Sequence, residues 1–176
     1  RWLALAAFFI ALARPQLGEG ETKVTASGID IVIAVDLSRS MEAEDFFDAR
    51  GERINRLALA KDTVRKFVLK RPSDRLGLIA FAGRAYVAGP LTLDHEFLLQ
   101  NLERLNFGGI EEGTAIGSGL LAGVNRLRDL KAKSKIIILL TDGVNNAGKV
   151  PPLTAADAAQ ALRIKVYTIG VGTHGT

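Results

Sequence analysis

Five oxygen-bearing side chains fall where an α/β chain gathers its chemistry. The apolar run Ile31 to Val35 ends in Asp36-Leu37-Ser38-Arg39-Ser40, a second run Ile136 to Leu140 ends in Thr141-Asp142-Gly143, and Gly113-Thr114 lies between them. In a doubly wound sheet the ends of such strands and the start of the intervening helix converge on one crevice. Asp36, Ser38, Ser40, Thr114 and Asp142 would bring there two carboxylates and three hydroxyls, with no His or Cys beside them. That set suits a hard cation, Mg²⁺ above all, with Mn²⁺ or Ca²⁺ as alternatives. If the hydroxyls bind directly and the carboxylates act through water, the metal stays electrophilic enough to accept an outside carboxylate at an open position.

The elements that must position these groups follow from hydrophobic periodicity. Ile29 to Val35 is apolar almost throughout and rich in Ile and Val, the pattern of a central strand covered on both faces. Met41 to Arg53 reads as a polar, acidic lead into a helix whose residues Leu57, Ala60, Val64, Phe67 and Val68 share one face, with Pro72-Ser73-Asp74 as its stop. Leu76 to Ala82 predicts a strand, and Gly83-Arg84 turns it into a hairpin partner, Ala85 to Ala88, ended by Gly89-Pro90. His95 to Leu105 predicts a short helix. Thr114 opens a second helix, striped by Ile116, Leu120, Val124 and Leu127. Lys135 to Thr141 is another covered strand, Thr154-Ala155-Ala156-Asp157 suggests a capping box for the next helix, and Ile164 to Ile169 a last strand. The alternation predicts an α/β fold: a doubly wound, mostly parallel sheet with helices on both faces and one antiparallel edge strand.

The 176 residues allow one such domain and little more. Trp2 to Ala13 is an uninterrupted apolar run of twelve residues, short of the roughly 20 that span a bilayer. The chain opens on Arg1, not Met, so the expectation is the end of a truncated membrane helix over 1–14, a polar Gly-rich linker over 15–28, and the domain over 29–176. A signal-peptide core is the main rival, but Arg14-Pro15-Gln16 stands where a small-residue cleavage site would be, and a buried core helix is the next alternative to the anchor. Arg1 and Arg14 flank the run symmetrically and give no orientation. The absence of Cys excludes disulfides, thiolate metal sites and Cys nucleophiles. The net charge of +4 resides on helix-like segments, Arg53 to Arg75 and Arg126 to Lys135, without aromatic interleaving, so it reads as solvated helix faces rather than a nucleic-acid surface.

Asp36-x-Ser38-x-Ser40 after a strand, Thr114 in Glu112-Gly113-Thr114-Ala115-Ile116-Gly117, and Thr141-Asp142-Gly143 after another strand resemble the metal-ion-dependent adhesion site of von Willebrand factor A domains. Ala13-Arg14-Pro15-Gln16, Arg75-Leu76-Gly77-Leu78, Pro90-Leu91-Thr92-Leu93-Asp94-His95 and Val166-Tyr167-Thr168-Ile169-Gly170-Val171-Gly172 resemble, more narrowly, the bacterial aerotolerance-operon (Bat-type) membrane proteins. The resemblance implies a bacterial inner-membrane protein with a periplasmic A domain that binds protein partners through an Asp or Glu carboxylate. It also implies association with a MoxR-type AAA+ ATPase and related membrane proteins of the family, no enzyme activity, and a further helix after Thr176. By carry-over Ser38, Ser40 and Thr114 would ligate Mg²⁺ directly, with Asp36 and Asp142 acting through water. Arg39 departs from the pattern, which often has Gly there. It is expected to lie outward.

Three other readings are weighed against this one. An aspartate-nucleophile, Mg²⁺-dependent phosphohydrolase would carry a second Asp two residues after the first, where Ser38 stands. A dinucleotide fold is suggested by Gly117-Ser118-Gly119-Leu120-Leu121-Ala122, yet that fingerprint must directly follow a strand, and Asn106 to Gly113 is a loop. The small residues are better explained by close packing of a helix on the sheet. Any one of the five oxygen residues could merely cap a helix or turn; all five in this order argue otherwise. Glu42, Asp45, Glu111 and Glu112 read as solvated loop charges, His95 as a helix-start residue and His174 as a loop residue.

Overall fold

The structure, a computed structural model, describes residues 28–172 and Trp2. The rest of the expected membrane helix over 1–14, the linker up to residue 27, and His174 lie outside the described residues. No helix among the described residues is long and apolar enough to cross a membrane.

Strand β1 (Asp30–Asp36) forms the middle of a five-stranded sheet because all seven of its residues are buried. Its side chains alternate between two cores, as the two-residue repeat of a strand requires. Ile31, Ile33 and Val35 enter one, while Val32 and Ala34 enter the other. After β1 come a 3₁₀ turn (Arg39–Glu42), a small hairpin β2 (Phe46–Phe47) and β3 (Arg53–Ile54), helix α1 (Arg56–Leu69), β4 (Arg75–Phe81) and β5 (Ala85–Thr92). The chain continues through α2 (His95–Arg104), α3 (Ile116–Leu127), β6 (Lys135–Thr141), α4 (Pro152–Ala161) and β7 (Lys165–Gly170). The sheet order is β5-β4-β1-β6-β7, with β5 antiparallel and every other pairing parallel. Leu57, Ala60, Val64 and Val68 of α1 and Leu98 and Leu102 of α2 cover one face, and Leu120, Val124 and Leu127 of α3 with Ala155 and Ala159 of α4 cover the other. The doubly wound α/β sheet with one antiparallel edge is therefore as the periodicity predicts.

The chain leaves β1 toward β4 on one side and returns to β6 on the other. The crevice beyond the carboxyl ends of β1 and β6 is thus the switch point where such sheets bind ligands. Asp36 ends one strand and Thr141 the other. Each fully buried large aliphatic side chain of β1 contributes about 1.5–3 kcal/mol relative to an exposed one, so this strand is firmly fixed under Asp36.

Several local expectations are corrected. Strand β5 does not stop at Gly89-Pro90 but runs to Thr92. Its register shifts twice against β4, and an edge strand tolerates a proline that lacks a donor. Met41 to Arg53 is more than a polar lead: it holds the 3₁₀ turn and the β2–β3 hairpin, whose bend is made by Asp48 Oδ1 accepting from the Arg50 and Glu52 amides and by Gly51 at φ 81°. Thr154 does not cap α4, which starts two residues earlier with Pro152 just inside it and no side-chain cap. Proline suits that position because its missing N–H would be unpaired there anyway. The glycines of α3 serve packing: a Cβ on Gly119 would stand 2.8 Å from the Phe81 ring, and one on Gly117 2.0 Å from the Val150 carbonyl oxygen.

Candidate metal centre

Asp36 is fully buried at the end of β1, and both its oxygens accept hydrogen bonds. The Ser38 amide donates to Oδ1 at 2.8 Å and the Thr141 hydroxyl to Oδ2 at 2.6 Å. The first bond turns the chain sharply after the strand, and the second joins β1 to β6 at the crevice. Ser38 and Ser40 lie with their hydroxyls 3.0 Å apart, and Ser40 Oγ donates to Asp142 Oδ1 at 2.6 Å. Four of the five residues singled out in the sequence, namely Asp36, Ser38, Ser40 and Asp142, are thus one continuous polar cluster.

Thr114 is brought alongside by its loop. The Ala115 amide donates to Ala82 O at 2.7 Å and the Gly83 amide to Glu111 O at 2.8 Å, which lays residues 111–115 against the end of β4. The approach is so close that a Cβ on Gly83 would stand 2.6 Å from Glu112 O. From the other side, Asn146 Oδ1 accepts from the Thr114 amide at 2.8 Å while its own amide donates to Thr114 O at 3.1 Å. The point where a Cβ would sit on Gly143 is 3.5 Å from Thr114 Oγ1 and 3.8 Å from Ser40 Oγ, so both hydroxyls border the same space. Gly143 leaves that space clear.

Sequence reading missed three contributors. Thr141 fixes Asp36, Asn146 clamps Thr114, and Arg56 reaches Asp142 Oδ2 with Nη1 at 2.6 Å. The same guanidinium bonds Asp45 through Nε and Nη2, the shortest contact being 2.6 Å. Arg56 and Asp45 are therefore not the solvated charges their segments suggested. The signal was present: Arg56 is the first residue of α1, and the first turn of that helix holds no acid. A cation there opposes the helix dipole and calls for another reason. Arg39 points outward as expected, its side chain 80% exposed and 3.9 Å from Glu112. His95 starts α2 and its Nε2 is 2.9 Å from Asp74 O, a structural bond.

The donor set fits a hard divalent ion. No group of three His, Cys, Asp or Glu side chains able to hold a metal occurs among the described residues, so the oxygens available are mainly hydroxyl. Asp36 and Asp142 both have buried carboxylates, Arg56 is shared with Asp45, and among the described residues no cation pairs with Asp36. Buried negative charge so weakly compensated is costly alone and favours an added cation. Three residues after Asp142, Asn145 Oδ1 is buried without a hydrogen-bond partner among the described residues.

Burial pushes the Asp36 carboxyl above its usual 3.8; hydrogen bonds from Thr141 and Ser38 oppose this, and the Asp142 charge adds to it. A raised carboxyl binds its proton more readily in the folded than in the unfolded chain. Acidification from above the raised value toward 3.8 therefore relieves a penalty on the metal-free fold while removing the ionised form that a cation needs. Melting temperatures measured against pH with chelator and with Mg²⁺ are expected to converge on acidification, beginning above the range of an ordinary aspartate. Curves that stay parallel through that range would contradict the role given to Asp36.

Comparison with known proteins adds independent information. Residues 30–176 match the von Willebrand factor type A domain profile. A protein of Borreliella burgdorferi is 34% identical over 172 residues, covering 98% of this chain and 49% of that protein. The chain spans about half the length of the curated relatives it matches. An aerotolerance-related membrane protein from Bacteroides fragilis superposes with a TM-score of 0.73 at 32% identity, over 82% of this chain and 68% of that one. BatB from Bacteroides thetaiotaomicron gives a TM-score of 0.69 at 30% identity, over 85% and 73%.

Proposed function

Because the chain belongs to the von Willebrand factor type A domain family, we propose that it is a Mg²⁺-dependent protein-binding domain of a membrane-anchored, Bat-type protein. The observation that carries this reading is the buried Asp36, which has no cationic partner among the described residues, beside the hydroxyl chain from Ser38 through Ser40 to Asp142. Ser38, Ser40 and Thr114 would hold the ion directly, with Asp36 and Asp142 orienting its waters. When bound, the ion supplies a Lewis-acidic position for a carboxylate of the partner. Asp36 holds the turn at Ser38, Thr141 keeps Asp36 in place, and Asn146 keeps Thr114 facing the same space. Next to Gly143 in the chain, Val144 is 84% exposed, an apolar residue that contributes nothing to the core and is suited to partner contact.

The domain does not act as an enzyme in this reading. Ser38 stands where an aspartate-nucleophile phosphohydrolase would need a proton-transferring carboxylate, and its hydroxyl lies against Ser40. The partner class includes a MoxR-type ATPase and related membrane proteins of the family, with the domain on the periplasmic side of the inner membrane. Bat-type structural relatives named as membrane proteins support the membrane assignment. Purification of the full-length protein from membranes tests the whole reading. A partner should be retained in Mg²⁺ and released by chelator; retention insensitive to chelator would count against metal-mediated capture.

A further inference from the structure

On the premise that the centre holds Mg²⁺, we propose that Arg56 is its positioning residue and that it couples the β2–β3 hairpin to the metal site. The guanidinium is used from two sides. Nη1 donates to Asp142 Oδ2 at 2.6 Å, whereas Nε and Nη2 grip Asp45, the residue just before the hairpin. Asp142 is thereby held with Oδ2 engaged and Oδ1 turned to Ser40. The Arg56 side chain is 19% exposed and that of Asp142 0%, so the bond is shielded from solvent. The backbone adds a second tie, the Arg56 amide donating to Ala43 O at 3.1 Å.

Helix formation does not explain this arginine. Asn55 already caps α1 by accepting from the Ala58 amide at 2.8 Å, and a cation in the first turn opposes the helix dipole. Hydrogen bonds to Asp45 first and to Asp142 second push the guanidinium above its ordinary value, so it is always charged. Lysine would carry the charge but not the planar fork needed to span both carboxylates. Groups that hold a metal or order its waters are themselves oriented by such outer partners, whose loss typically lowers metal affinity about 10- to 100-fold.

The test uses calorimetry with MgCl₂ on the wild-type domain and on Arg56→Gln, Arg56→Lys and Asp45→Asn. Arg56→Gln should bind Mg²⁺ about 10- to 100-fold more weakly, and Arg56→Lys should remain weakened despite its charge. Asp45→Asn removes no proposed ligand and leaves the Asp142 bond available, yet should shift affinity in the same direction. This variant carries the test if Arg56→Gln fails to fold. In metal-free protein, amides of the hairpin, Gly51 among them, should exchange hydrogen faster in Arg56→Gln. In the wild type the Gly51 and Glu52 amide resonances should move on Mg²⁺ addition. Wild-type affinity in both Arg56→Lys and Asp45→Asn, or hairpin amides indifferent to Mg²⁺, would overturn the positioning role. A wild-type domain that binds no Mg²⁺, indistinguishable from Asp36→Ala, would instead overturn the metal reading and this inference with it.

Discussion

Asp36→Ala and Ser38→Ala are each expected to abolish Mg²⁺ binding in calorimetry and with it the rise in melting temperature that the proposed function predicts for the wild type in Mg²⁺. The two substitutions reach that result by different routes. Removing the Asp36 carboxylate leaves the Ser38 amide and the Thr141 hydroxyl without their acceptor, a loss of about 1–3 kcal/mol for each group that stays buried. It also removes a desolvated charge close to Asp142, which offsets part of that cost. The metal-free fold should survive. Ser38→Ala is cleaner still: it removes the hydroxyl's contact with Ser40 and its side-chain interaction with Asp36, but leaves the Asp36 bonds to the Ser38 amide and to Thr141 intact. Ligand linkage sets the scale: at Mg²⁺ one hundred times the dissociation constant the wild type gains about 2.7 kcal/mol, and both variants should gain none. Binding unchanged in either variant would dismiss the metal assignment.

The sheet was legible in the sequence because the signals that define it are local. The apolar run at Ile31, the stripe Leu57, Ala60, Val64 and Val68, and the strand at Lys135 each carry their own periodicity, and burial follows them closely. The gathering of Asp36, Ser38, Ser40 and Asp142 into one cluster was legible for a related reason, since strand ends are fixed by the same runs and each of the four lies at or just after one. Thr114 was singled out at the start of its helix, but how it joins the others was not legible, because the path of the loop from residue 106 depends on contacts with Gly83 and Asn146 distant in sequence.

The errors have the opposite origin. Gly89-Pro90 is a turn signal by local chemistry, and only its place at the sheet edge lets the strand continue through it. Thr154 and Asp157 match a capping pattern, but Pro152 starts the helix first. Arg56 and Asp45 look like ordinary surface charges until folding places Asp142, 86 positions beyond Arg56, between strand and helix. Side chains paired across such separations leave no periodic trace. The helix-dipole violation at Arg56 was the one local clue.

Arg75→Ala is expected to destabilise the domain by about 3 kcal/mol while leaving its Mg²⁺ affinity unchanged. Asp30 opens β1 and is 2% exposed; Arg75 opens β4, directly opposite it in the parallel register. The guanidinium grips the carboxylate with Nε at 2.7 Å and Nη2 at 2.6 Å, a two-pronged bond that a one-residue slip of β4 against β1 would break. Removing one partner of a buried pair costs about 3–5 kcal/mol, and because the Arg75 side chain is 37% exposed the lower end applies. The pair lies at the opposite end of β1 from Asp36, and across the 7 residues of the strand a rise of about 3.3 Å per step separates Asp30 from Asp36 by roughly 20 Å. Effects at that distance are normally additive. Urea unfolding should therefore show a lower midpoint for Arg75→Ala, and calorimetry a wild-type dissociation constant. A variant that unfolds earlier and also loses Mg²⁺ would mean that the register set by Asp30 and Arg75 governs the geometry at Asp36. The amino end of the sheet would then be part of the binding machinery.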